Sequence, residues 1–192
     1  GDIGQRIFQT AFSWKALGVD IRGRSRTLNI NYRTSHQIRQ LADQLLAPEV
    51  SDADSNSEQR DNTISVFNGP SPQIITCKSE AQEIETISKW LIDNKAQGYL
   101  PQEIGIFVRS DEQIKRARAA AEKAKLSYIV LDHKLMLQEE KLSIATMHLV
   151  KGLEFRAVAV MACDQDVLPS SERIASISDE SDLVEVQETE RH

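Results

Sequence analysis

One stretch of the chain combines polar side chains of four chemical types at short spacing. They are Thr146, His148, Lys151 and Glu154, and an apolar run, Ala157 to Ala162, follows them. The threonine offers a hydroxyl, the lysine a point charge suited to a phosphate, and the glutamate an acceptor for a ribose hydroxyl. Because strand-like residues flank the stretch, it predicts a turn at the edge of a sheet, where ligands bind. We call residues 146–156 the lysine turn.

The same four residues also fit an ordinary surface turn. Lys151 and Glu154 would then be solvated charges, and His148 would be a partly buried imidazole with a hydrogen-bond partner. The turn taken alone leaves both interpretations open, and the surrounding elements and other motifs have to separate them.

Strand-like and helix-like segments alternate around this turn. Strands are predicted at residues 27–31, 73–77, 104–108, 127–131, 142–146 and 157–162. Apolar residues at three- and four-residue spacing predict helices that begin near Thr34 or Ser35, at Ser79, and at the capping-box pattern Ser110-x-x-Gln113. This alternation predicts an α/β fold, a mostly parallel sheet with helices on both faces.

Two segments interrupt the alternation. Residues 47–72 are predicted to be a surface loop, because the part from 49 to 62 is nearly all acidic residues, Ser and Asn. The tail, residues 165–192, is acidic and rich in serine with little periodicity. Neither segment has enough apolar residues to predict a core element.

Composition and charge limit the possible classes of protein. The 192 residues are 40% hydrophobic with a net charge of −6, which excludes collagen-like chains and surfaces that are basic all round. Counted by blocks, the charge is +5 for 1–41 (7 basic, 2 acidic), −7 for 42–103 (4 and 11), +3 for 104–160 (10 and 7) and −7 for 161–192 (2 and 9). A polyanion would therefore meet a local basic face, although solvated helix faces would give the same pattern.

Cysteines, histidines and apolar runs point to the cytoplasm. Cys77 and Cys163 lie far apart in apolar runs, which predicts buried free thiols in a reducing compartment. The four histidines have no metal-ligand spacing, so no metal site is predicted. No run approaches the roughly 18 apolar residues of a membrane span, so no membrane partner is expected. The chain also has no Gly-x-x-x-x-Gly-Lys-Ser/Thr loop.

Three further stretches accompany the lysine turn in a fixed order. They are Gly1-Asp-Ile-Gly-Gln-Arg-Ile-Phe8, Leu28-Asn-Ile-Asn-Tyr-Arg-Thr34 and Ile104-Gly-Ile-Phe-Val-Arg-Ser110. Together with Thr146-x-His-x-x-Lys-Gly-Leu-Glu-Phe155, they resemble motif III, motif IV, an extra motif, and motif V of the superfamily-one DNA helicases of the UvrD, Rep and PcrA type. The resemblance runs through the whole chain.

The resemblance implies a RecA-like, P-loop NTPase-like fold. In the family, two RecA-like domains close over ATP with Mg²⁺ and move along single-stranded DNA. Residues 1–26 resemble the motif III segment at the junction of the first domain, 1A, with the second, 2A, and residues 27–192 resemble 2A. The implied partners are single-stranded DNA and the N-terminal RecA-like domain, which would carry the Mg²⁺ ligands.

The resemblance also assigns residues to the ATP site. Gln5 resembles the glutamine that senses the γ-phosphate, and Arg33 resembles the motif IV arginine that contacts it. Tyr32 matches the tyrosine that packs against adenine, and Glu154 matches a glutamate near the ribose. The structural alternatives are a core aromatic for Tyr32 and an ion pair at a helix start for Arg33.

A second set of residues resembles the family's DNA contacts. Trp14 matches the motif III aromatic that stacks on a base, with a core aromatic as the alternative, and Arg109 resembles a phosphate contact, with a solvated charge as the alternative. Thr146, His148 and Lys151 match motif V groups that hold the strand and couple it to ATP.

The chain also departs from the family's pattern. Only about a dozen residues separate the strand near Tyr128 from motif V, where UvrD-type enzymes insert a large domain called 2B. The end of the chain, Val186 to His192, resembles only the start of motif VI. These departures predict a piece of a longer helicase that is inactive by itself. A non-enzymatic helicase-like interaction module, or the helicase arm of a nuclease or repair complex, is the alternative.

Overall fold

The computed structural model describes Gly18 and residues 30–44, 49–51, 57–59 and 64–168. Two compact units divide the chain, one of residues 1–74 with 176–192 and the other of residues 75–175. Of the sites predicted from the sequence, Gln5 and Trp14 lie outside the described residues, as do the motif III segment around them and the motif VI-like end of the chain.

The first unit contains short elements in its described part. They are β1 (Ile30–Asn31), α1 (His36–Asp43), β2 (Glu49–Ser51), β3 (Ser57–Gln59) and β4 (Ile64–Ser65). β1 and β4 pair in parallel. α1 begins after Ser35, whose hydroxyl accepts a hydrogen bond from the Ile38 backbone N–H at 3.4 Å. The predicted cap is confirmed, since this bond satisfies one of the unpaired donors at a helix start.

The segment around residues 47–72 differs from the predicted loop at several positions. β2 and β3 pair antiparallel, with Glu49 opposite Gln59 and Ser51 opposite Ser57, and β4 follows them. An antiparallel pair is held by backbone hydrogen bonds across a short connection. It can therefore form where apolar side chains are too few to predict a strand.

The second unit is built on a four-stranded parallel sheet. Its elements are α2 (Glu80–Ala96), β5 (Ile104–Val108), α3 (Ile114–Lys123), β6 (Tyr128–Val130), β7 (Leu142–Thr146) and β8 (Ala157–Val160). The strand order is β6-β7-β5-β8, and every neighbouring pair is parallel. The α/β class with a parallel sheet is confirmed, and the four strands coincide with predicted strands to within two residues at each end.

Alternating residues of β5 separate the two faces of this sheet. Ile104, Ile106 and Val108 are fully buried in one core with Leu91 of α2 and the alanines of α3. Phe107 lies on the opposite face in a smaller cluster with the apolar residues of the lysine turn. Within the described part of this unit the helices therefore cover one face, and the lysine turn covers part of the other.

Helix boundaries in this unit agree with the prediction at one end and differ at another. Ser79 caps α2 by accepting from the Gln82 backbone N–H at 3.2 Å, and Gly98 ends the segment in a left-handed conformation. Ser110 makes no side-chain cap hydrogen bond, and a short 3₁₀ turn precedes α3. The predicted capping box is therefore wrong, because the chain enters α3 through that turn instead.

The predicted strand at residues 73–77 and the predicted burial of the two cysteines are both wrong, because the side chains concerned are exposed or only half-buried. Residues 73–77 form no strand; Ile74 and Ile75 are exposed, and Pro70 and Pro72 just before them have no N–H to offer a neighbouring strand. Both cysteines are free thiols, but Cys163 is exposed and Cys77 is only half-buried, so their predicted burial is wrong.

No helix among the described residues is long and apolar enough to cross a membrane.

Candidate functional site

The lysine turn alternates anchoring and exposed residues at a spacing of three. Met147, Val150 and Leu153, followed by Phe155, pack against the small buried cluster that contains Phe107 of β5. His148, Lys151 and Glu154, each one residue further along, are exposed. The rings of Phe107 and Phe155 meet edge to face with centroids 5.3 Å apart. Apolar contacts therefore fix the turn on the sheet while its polar groups face outward.

Backbone hydrogen bonds and one glycine define the shape of this turn. The Leu149 N–H donates to the Thr146 carbonyl at 3.1 Å, and the Leu153 N–H donates to the Val150 carbonyl at 3.0 Å. Gly152 has a φ of 102°, a conformation that side chains strongly disfavour. A Cβ at this position would meet open space. Glycine is therefore needed here for its backbone conformation and not for a close packing contact within the chain.

Thr146 is placed differently from the other residues of the turn. Its side chain is 1% exposed, and its Oγ1 lies 3.4 Å from Nε2 of the exposed His148. As the last residue of β7, it continues the alternation that buries Leu142 and Ile144. The Thr146 hydroxyl is therefore closed off from solvent, and it can influence the surface only through the ring of His148.

Arg109 lies at the same edge of the sheet as the lysine turn. β5 and β7 are parallel neighbours with Val108 opposite Thr146, and the Met147 N–H donates to the Val108 carbonyl at 2.9 Å. Arg109 directly follows β5, and it is partly exposed. The carboxyl ends of two adjacent strands thus bring together one arginine, one histidine and one lysine that the sequence separates by about 40 positions.

A largely buried arginine ties the chain beyond β8 to two helices. Arg116 of α3 donates to Glu83 Oε2 at 2.9 Å and to Asp164 Oδ2 at 2.7 Å, while Glu80 lies 3.6 Å away. Glu83 Oε1 also accepts from the N–H of Ala162 at 2.8 Å, at a residue with a φ of 59°. Sequence patterns do not reveal this network, since its members are 33 and 48 positions apart.

The charges of this network act on neighbouring titratable groups. Partial burial lowers the pKa of Arg116, but the hydrogen bond to Asp164 and the charge of Glu83 outweigh burial and raise it above its ordinary value. Although Cys163 is an exposed residue, its thiol loses part of its hydration, and this desolvation, together with the carboxylates of Glu83 and Asp164, raises the pKa of the thiol. Cys163 therefore stays in its protonated, less reactive form at neutral pH.

Tyr32 and Arg33 lie in the first unit, on the bend between β1 and α1. Both side chains are exposed, and that of Tyr32 is 67% exposed. The structural alternative of a core aromatic therefore does not describe Tyr32. We call residues 31–35 the arginine turn. A tyrosine ring has the chemistry to stack on a base, and an arginine beside it has the chemistry to contact a phosphate.

One sequence comparison identifies the family. The model of the UvrD-like helicase C-terminal domain family matches residues 26–140, which is more than half of the chain. The chain belongs to this family. The resemblance seen in the motifs is thereby confirmed, and the parallel α/β sheet of this UvrD-like domain agrees with a RecA-like fold. No curated protein and no solved structure gives a significant match.

Membership supports the helicase interpretation at the level of the domain. The matched range includes the arginine turn and Arg109, while the lysine turn begins after residue 140. A helicase family implies interaction with DNA.

Proposed function

We propose that this UvrD-like domain is the second motor domain, 2A, of an ATP-dependent DNA helicase or translocase. It would contribute part of a track for single-stranded DNA and half of an ATP site. The placement of Arg109 beside the lysine turn, at the carboxyl edge of adjacent parallel strands, supports the proposal most strongly. Open α/β sheets bind their ligands at this edge.

The DNA part of the proposal uses the exposed groups of that edge. Arg109, His148 and Lys151 would contact the phosphates of one strand, which carry no sequence information but give affinity. Thr146 would act indirectly, since its buried hydroxyl reaches His148 and not solvent. The surrounding net negative charge of the chain would confine the strand to this basic edge.

The ATP part uses the arginine turn. Tyr32 would stack on the adenine, and Arg33 would contact the γ-phosphate, where charge develops as the phosphoryl group is transferred. Glu154 would lie near the ribose, and Gln5 would sense the γ-phosphate. Among the described residues no three or more His, Cys, Asp or Glu side chains are grouped to hold a metal ion. The Mg²⁺ ligands, like the phosphate-binding loop, would belong to the N-terminal motor domain.

ATP turnover tests the motor assignment. We expect the full-length protein to hydrolyse ATP faster when single-stranded DNA is added, and Arg33→Ala to lower kcat by about 10³-fold, since an arginine at this phosphate contributes roughly 10³ to 10⁵ in rate. The 192-residue chain alone should show no turnover. DNA-stimulated turnover by the chain alone, or full activity of Arg33→Ala, would overturn the assignment.

Salt-dependent DNA binding tests the track. The chain should bind a fluorescent single-stranded oligonucleotide, and affinity should fall with salt because phosphate contacts release counterions. Lys151→Ala should weaken binding and reduce the slope of log K against log salt by about 1. Lys95→Ala is the matched control. Lys95 lies in the last turn of α2, from which the chain enters the amino end of β5, whereas the lysine turn lies at the carboxyl ends of the strands.

The binding result also distinguishes a motor domain from a non-enzymatic interaction module. If Lys151→Ala and Lys95→Ala bind the oligonucleotide equally well, the lysine turn is not the DNA contact. If the full-length protein shows neither turnover nor DNA binding, the non-enzymatic interaction module is favoured. A reducing cytoplasmic setting belongs to the same proposal, because both cysteines are free thiols.

A further inference from the structure

The side chain of Asn31 organises the backbone on which Arg33 stands. Its Oδ1 accepts hydrogen bonds from the backbone N–H of Arg33 at 2.8 Å and from that of Thr34 at 3.3 Å. An asparagine that bonds the backbone two residues further on closes a turn without any help from distant residues. The bend at residues 32–34 is therefore defined by the residue that precedes it.

The other half of the same amide is also used. Asn31 Nδ2 donates to Thr34 Oγ1 and, at 3.5 Å, to Ser65 Oγ. Both backbone N–H groups need an acceptor, whereas both hydroxyls can accept, so only one orientation of the amide satisfies all four partners. Aspartate at this position could accept from the two N–H groups, but it could not donate to the two hydroxyls.

Residues 64–69 brace the arginine turn from the side. Asn31 pairs with Ser65 in the parallel β1–β4 ladder, and its carbonyl accepts from the Val66 N–H at 3.1 Å. On the far side of the turn, the His36 N–H donates to the Phe67 carbonyl at 2.8 Å. The backbone is thus tied on both sides of Arg33.

We propose that Asn31 is a positioning residue that acts through Arg33, an inference that rests on the proposed function. Arg33 stabilises the transferred phosphoryl group only if its guanidinium is held in place, and a misplacement of about 1 Å can cost roughly 10²-fold in rate. An arginine on a loop obtains this precision from the groups that fix its backbone. Asn31 supplies such a group, because its Oδ1 accepts from the backbone N–H of Arg33 and from that of Thr34.

The test is a double-mutant cycle in the full-length protein, read as kcat for DNA-stimulated ATP turnover. Asn31→Ala should lower kcat about 10- to 100-fold in the wild-type background. In the Arg33→Ala background, the same change should lower the residual kcat less than threefold, because the residue through which it acts is gone. A purely structural role for Asn31 would lower kcat equally in both backgrounds and would overturn the proposal.

Two conservative variants keep the test decisive if Asn31→Ala does not fold. Asn31→Asp should retain kcat within about threefold of wild type, since it keeps the two backbone contacts that define the turn. Ser65→Ala should change kcat even less, because it removes only the longest of the four contacts. A loss in Asn31→Asp as large as that of Arg33→Ala would contradict the assignment of the turn to Oδ1.

The cycle also distinguishes the inference from the function on which it rests. If Arg33→Ala leaves kcat unchanged, the proposed function fails and the inference fails with it. If Arg33→Ala lowers kcat while Asn31→Ala does not, the role of Arg33 stands and the positioning role of Asn31 is refuted.

Discussion

Replacing Arg116 by alanine is expected to destabilise the second unit strongly. The Arg116 side chain is 11% exposed, and its guanidinium joins α3 to Glu83 of α2 and to Asp164 beyond β8. Removing one member of a buried ion pair typically costs about 3–5 kcal/mol. Here Asp164 is about half exposed and can regain water, and Glu83 keeps the Ala162 N–H, so we expect a loss of about 2–3 kcal/mol.

Urea unfolding measures this loss through one fluorophore. The chain has two tryptophans, and Trp90 of α2 packs against the main core of the second unit. In a Trp14→Phe background, Trp90 fluorescence therefore reports that unit alone. With a urea slope of about 1.5 kcal/mol per M, Arg116→Ala should lower the midpoint by about 1.3–2 M.

Two further variants show whether the network, and not charge in general, is responsible. Lys89→Ala removes an exposed cation that pairs with Glu85 at 3.5 Å, and it should leave the midpoint unchanged. Arg116→Lys should recover only part of the loss, since an ammonium is a point charge that cannot reproduce the planar fork. If Arg116→Ala shifts the midpoint no more than Lys89→Ala does, the reasoning about burial is refuted.

Three other perturbations use the same unfolding measurement. Gly105→Ala would place a methyl group against Cζ of Phe107, closer than van der Waals contact allows, so we expect a loss of about 1–3 kcal/mol. An unchanged midpoint would show that the ring moves without cost. The hydrogen bond from the Leu100 N–H, and then Arg156, hold the pKa of Glu103 below its ordinary value. The Glu103 carboxylate therefore stabilises the fold fully when the pH is above the pKa of this group in the unfolded chain. The stabilisation is lost as the pH falls through the pKa of the group in the folded chain. The midpoint difference between wild type and Glu103→Gln should accordingly vanish in acid, and a difference independent of pH would contradict the assignment. Ser79→Ala should cost about 1 kcal/mol, while Ser110→Ala, which removes no cap bond, should cost less.

The sequence allowed the second unit to be predicted well because its signals are local. Strand β5 is a run of buried apolar residues, and α2 has a capping serine at one end and Gly98 beyond the other. The mistaken strand at 73–77 shows where such signals fail. Two adjacent isoleucines suggested burial, but two prolines precede them and no neighbouring strand was visible from the sequence.

The candidate site was predictable in its residue types and less so in its geometry. The alternation of side chains along a strand was enough to predict that Thr146 is buried, because Leu142, Ile144 and Thr146 share one face of β7. An asparagine two residues before Arg33 likewise signalled a side-chain turn. The Arg116 network gave no such signal, because its carboxylates come from positions that only the folded chain brings together.

The connection between β6 and β7 is a place where such domains can accept an insertion during evolution. The Leu131 N–H bonds the Ile144 carbonyl at 2.9 Å, and the Leu142 N–H bonds the Ser127 carbonyl at 3.0 Å, so the sheet itself fixes both ends of residues 131–141. Lengthening such a loop costs only about 0.6 kcal/mol for each doubling. An accessory domain could be gained or lost at this point in a single genetic step while every strand keeps its register. For the same reason, it is the natural position at which to insert a reporter domain into this protein.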